Sequence, residues 1–72
     1  MTLAEGKIGT TYTIKKVVTD DEELDDFLFT LGCYEGEKIT IISMISKSFV
    51  VSIKDGRYNI DTNLAGVIAV EE

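Results

Sequence analysis

The sequence predicts a mainly β protein, a small closed or nearly closed barrel of about five strands with one inserted α-helix. Three observations predict it. Short runs rich in β-branched residues alternate between two faces, an Asp55–Gly56 pair marks a tight hairpin, and one segment alone, residues 19 to 36, has helical spacing. Brief connections favour closure, which also removes the open edges of a flat sheet. An SH3-like barrel is the economical form, since an OB-fold uses longer strands and more residues.

Length and composition bound the class. At 72 residues the chain reads as one domain, residues 1–72, and a domain of this size buries only about 60% of its unfolded surface. A hydrophobic fraction of 44% suffices for an efficient core. The single cysteine excludes an internal disulfide. The start, MTLAEGKIG, lacks the charged and apolar regions of a signal peptide, so a cytoplasmic location is expected. No apolar run reaches the roughly 18–20 residues of a membrane span, so no direct membrane insertion is expected. A net charge of −6, from 13 acidic and 7 basic residues, disfavours nucleic acid and anionic lipid as partners, because both need clustered cations. Only Lys15 and Lys16 are adjacent.

Residues 10–18, TTYTIKKVV, read as the first strand, with Tyr12 and Ile14 on one face. In TDDEELDDFLFTLGCYEG, Thr19 is the expected N-cap and Glu22 completes a capping box. Leu24, Phe27, Leu28 and Leu31 recur at helical spacing and form one apolar stripe. Gly32 is expected to close the helix in the left-handed conformation, and Gly36 to mark the turn that follows. In residues 37–45, EKITIISMI, alternation puts Ile39, Ile41 and Ile45 on one face and Lys38, Thr40, Ile42 and Met44 on the other.

The Asp55–Gly56 pair predicts a type I′ turn with Lys54 opposite Arg57, Ile53 opposite Tyr58 and Val51 opposite Ile60. Phe49, Val51, Ile53, Tyr58 and Ile60 then share one side. Residues 61–66, DTNLAG, predict a single helical turn, and VIAV a last short strand.

Candidate chemistry is sparse. The acidic run Asp20, Asp21, Glu22, Glu23, Asp25 and Asp26 offers oxygen ligands, yet carboxylates in a first helical turn also complement the helix dipole and keep an outer face solvated. The dipole reading is preferred, and no metal ligand is assigned. Histidine is absent, and a lone Cys33 beside Glu35 and Glu37 reads as an apolar filler whose neighbours raise its pKa. No glycine-rich phosphate loop is present, so no catalytic residue and no cofactor are assigned. Binding is the better expectation. Phe29 lies off the helical stripe, Tyr34 stands in a turn, and Ile42 and Met44 occupy the outer face of their strand. These four either form a docking patch for a protein partner or, for Ile42 and Met44, pack beneath the helix.

The order of signals resembles the family of ferrous iron transport protein A, the FeoA domain, over almost the whole chain. The matching residues are Gly9, Tyr12 and Ile14, then Leu28, Leu31, Gly32 and Gly36, then the isoleucine-rich strand from Ile39, with Gly56 at the hairpin and Ile60, Ala65, Ile68 and Val70 in the tail. The resemblance implies an SH3-like barrel that is not an enzyme and that assists a membrane Fe(II) transporter by meeting its cytosolic G-protein domain (FeoB-like). It is similar also to the C-terminal domain of metal-dependent repressors, which leaves a freestanding interaction or regulatory module, acting through a peptide ligand or a homo-oligomer, as the alternative. Two positions depart from the family pattern. Phe27 and Asp61 stand where arginine is frequent, so a partner surface that relied on those cations is met differently here.

Overall fold

The computed structural model describes all 72 residues. After a 3-10 turn at Leu3–Glu5 come β1 (Thr11–Val17), α1 (Glu22–Leu31), β2 (Lys38–Ile45), β3 (Ser48–Ile53), β4 (Gly56–Asp61), α2 (Thr62–Gly66) and β5 (Ile68–Glu71). The five strands form one antiparallel sheet in the order β4-β3-β2-β1-β5. The expected strand count, the inserted helix, the single turn at residues 61–66 and the closing strand are all present.

Alternation builds the core. Tyr12 and Ile14 of β1, Ile39 and Ile41 of β2, Phe49, Val51 and Ile53 of β3, Ile60 of β4, and Ile68 and Val70 of β5 are buried, joined by Leu3, Leu28, Cys33 and Ala65. No polar or charged residue is buried with them. The one hydroxyl in this set, on Tyr12, accepts the Lys7 N–H at 2.8 Å, which offsets the desolvation of the phenol.

Four local expectations are corrected. Asp21 caps α1, not Thr19: its carboxylate accepts the Glu23 and Leu24 N–H groups at 3.0 and 3.2 Å, while Thr19 only receives the Asp21 N–H at 3.1 Å. A carboxylate is the stronger acceptor for bare helix N–H groups, so it wins the position. The apolar stripe is narrower than its sequence pattern, because Leu28 is fully buried and Leu24 and Leu31 partly, while Phe27 is 49% exposed at the stripe's margin.

In β2 a register shift between Ile41 and Ser43 reverses the alternation, pairing Met44 with Phe49 and Ile45 with Ser48. Ile45 is therefore 65% exposed instead of facing the core. In the hairpin, Ile53 pairs with Gly56, Ser52 with Arg57, Val51 with Tyr58 and Phe49 with Ile60. The turn residues are Lys54 and Asp55, and the positive φ falls on Lys54, at 55°. At Gly56 a Cβ would crowd the far end of the Tyr58 ring, 2.7 Å from Cζ, so a side chain there would displace that ring. The pairing moves by two residues, an even number, so Phe49, Val51, Ile53, Tyr58 and Ile60 still share a side.

Candidate functional site

A shallow cleft of about 540 Å³ lies where the last turn of α1 meets the β3–β4 turn. Phe29 and Leu31 come from the helix, Tyr34 from the turn after it, and Ile53, Lys54, Gly56 and Tyr58 from the hairpin. Gly32 makes the meeting possible. It holds φ 104°, and its N–H donates to the Leu28 and Phe29 carbonyls, so the helix stops abruptly. The chain then doubles back, with the Tyr34 N–H on the Gly32 carbonyl at 3.0 Å. The Phe29 and Tyr34 rings reach 5.1 Å between centroids, tilted by 43°. That is the range of favourable aromatic pairing. Phe29 nevertheless remains 62% exposed, a large ring held in place but not covered.

Lys54 supplies the charge. Its Nζ stands 5.0 Å from the Tyr34 ring centroid and 4.0 Å from a Glu37 carboxylate oxygen. The Tyr34 hydroxyl, and after it the Glu37 carboxylate, hold the exposed ammonium above its ordinary pKa, so the cleft carries a cation at its rim. The combination of a rigid aromatic pair, a cation and an open apolar floor suits a protein surface better than a reaction.

Of the four residues singled out in the sequence, Phe29 and Tyr34 lie together in this cleft. Ile42 and Met44 do not. Ile42 is the half-buried residue at the β2 register shift, and Met44, 45% exposed, faces Phe49 at the opposite end of β3 from Lys54. Lys54 and Tyr58 were not among the sequence candidates. Their signal is the hairpin itself, but the Asp55–Gly56 pair places the turn one residue too late, which hides Lys54 in the strand.

The acidic run stays dispersed. Asp21 is engaged as the cap, Glu22, Glu23, Asp25 and Asp26 are exposed, and no three His, Cys, Asp or Glu side chains converge to hold a metal ion. Cys33 is 2% exposed, and its thiol is pushed up from 9.0 to about 11. Burial, not the neighbouring Glu35 and Glu37, is the cause.

A family model described as the FeoA domain matches residues 1–72. The chain belongs to the FeoA domain family. Solved FeoA structures share its fold at low identity. An iron uptake regulatory protein (FeoA) is 19% identical, with a TM-score of 0.89 over 99% of this chain and 95% of its own. FeoA of Stenotrophomonas maltophilia, solved with zinc and described as an SH3 domain protein, is 20% identical, with a TM-score of 0.88 over 99% of this chain and 89% of its own. A manganese-dependent transcriptional repressor is 15% identical, with a TM-score of 0.89, this chain spanning 99% of itself but only 40% of the repressor. None of the curated proteins matches by sequence. The FeoA fold of this chain is thus an SH3-like barrel. No helix of this FeoA domain is long and apolar enough to cross a membrane.

Proposed function

We propose that this FeoA domain is a non-catalytic, cytoplasmic accessory of ferrous iron uptake that docks on the cytosolic G-protein domain of a membrane Fe(II) transporter (FeoB-like). Family membership supports the pathway, and the Phe29–Tyr34 pair beside Lys54 supports the mode of action. A 62%-exposed phenylalanine braced against a tyrosine is the kind of pre-ordered aromatic anchor that dominates protein interfaces. The thiol is buried and protonated, so a nucleophilic role for it finds no support.

Capture of the transporter's cytosolic domain on immobilised protein tests the proposal. Truncating a central aromatic anchor commonly weakens binding at least tenfold. Phe29→Ala and Tyr34→Ala should each do so, whereas Met44→Ala in β2, opposite Phe49, reports on a second contact. Full capture by both cleft variants would remove the cleft from the interface. No capture by the parent chain would favour the second reading, a freestanding interaction module, which the fold shared with a manganese-dependent repressor supports.

A further inference from the structure

We propose that the free edge of β4 pairs antiparallel with the same edge of a second copy of this chain. This is independent of transporter docking. The two edges of the sheet are treated differently by the chain. Beside β5 runs the N-terminus, with Thr2 bridging Ala69 and the Val70 N–H donating to the Met1 carbonyl at 3.0 Å. At the other edge, β4 has a bonded neighbour on its β3 side only. Its six residues pair with β3 without a register break, and they contain no proline. Neither a bulge nor a proline blunts this edge, and the two charges it carries, Arg57 and Asp61, are of opposite sign.

Backbone direction follows from the turn. In a two-residue hairpin the closing pair, here Ile53 and Gly56, exchanges hydrogen bonds, so Gly56, Tyr58 and Ile60 aim their backbone groups at β3. Arg57 and Asn59 aim both of theirs outward, and Asp61 its N–H, its carbonyl serving the first turn of α2. The Thr62 N–H, which donates to the Lys47 carbonyl at 3.2 Å, continues the same alternation. All three outward residues are exposed.

Self-complementarity identifies the occupant as a second copy. A two-fold axis through Asn59 sets Asn59 opposite itself, Tyr58 opposite Ile60 of the other copy, and Arg57 opposite its Asp61. The charge pair forms twice, once in each direction, as an isologous contact requires. Asp61 keeps one carboxylate oxygen on the Leu64 N–H at 2.8 Å and has the other free for Arg57. A register slipped by two residues in either direction loses both charge pairs. The edge thus specifies its own pairing.

Sedimentation and amide hydrogen exchange, followed from micromolar to millimolar chain, test the proposal. Association should grow with concentration, and the Asn59 and Asp61 N–H groups should gain protection while those of Tyr58 and Ile60, already bonded to β3, do not change. Arg57→Asp sets like charges opposite each other twice and should weaken association roughly tenfold, with Arg57→Lys close to the parent. Asn59→Pro removes the central outward N–H at a position where an edge strand tolerates proline, and should abolish association. Far-UV circular dichroism checks that each variant folds. A monomer throughout the range, a dimer in which the Asn59 and Asp61 amides stay labile, or undiminished association of folded Arg57→Asp would each overturn the proposal.

Discussion

Replacing Gly32 with alanine, beside Gly36→Ala as its twin, separates two constraints that the end of α1 combines. Both glycines have left-handed φ, 104° and 89°, so each alanine carries about 1–2 kcal/mol of backbone strain. At Gly36 a Cβ meets nothing within 4 Å. At Gly32 it would lie 2.8 Å from Ile53 Cγ2, and Ile53, 1% exposed, has no outward direction in which to yield. Overpacking of that kind adds roughly 1–3 kcal/mol.

Gly32→Ala should therefore cost about 2–5 kcal/mol and Gly36→Ala about 1–2. For 72 residues the total stability is on the order of 4–11 kcal/mol, so the first change is severe and the second tolerable. Urea unfolding followed by far-UV circular dichroism measures both, the chain having no tryptophan to report by fluorescence. If Gly32→Ala proves no worse than Gly36→Ala, contact with Ile53 does not set the helix exit, and the account of why Phe29 and Tyr34 meet fails with it.

Cys33 provides a pH prediction. Its folded pKa of about 11 exceeds the ordinary 9.0, so above pH 9 the unfolded chain loses the thiol proton first and stability falls as pH rises towards 11. The gap corresponds to about 3 kcal/mol, which Cys33→Ala should remove from the alkaline slope of an unfolding series, and the thiol should resist alkylation at pH 8 until denaturant is added. Leu28→Ala should cost about 2–5 kcal/mol, because Leu28 is the one fully buried side chain of α1, whereas Phe27→Ala should stay within about 0.5. Asp21→Ala should lower stability by about 1 kcal/mol and Thr19→Ala by less, as denaturation midpoints would show.

The fold was legible where two signals coincided. Gly32 follows the last stripe residue Leu31 and proved to be the left-handed stop, and residues 61–66 formed the expected helical turn, with Asp61 as a cap that the pattern had not marked. What escaped was set by packing across strands. Nothing in KITIISMI announces a register shift at Ile42, because its isoleucines satisfy either alternation. The hairpin turn likewise fell on Lys54 and Asp55, one residue before the Asp-Gly pair, with the positive φ on a lysine where the pattern expects glycine. Of the site, the two aromatics were legible as leftovers from the helical stripe. Lys54 was not, since its position over Tyr34 follows from the register that the sequence left ambiguous.

Lys54 has one more consequence. It occupies a left-handed backbone position, φ 55°, that asparagine or glycine would fill with less strain. Lys54→Gly should raise stability by roughly 1 kcal/mol and leave Tyr34 without its cation. If Lys54 serves the proposed docking surface, the turn trades barrel stability for that contact, and a variant that melts later but binds less well would expose the trade.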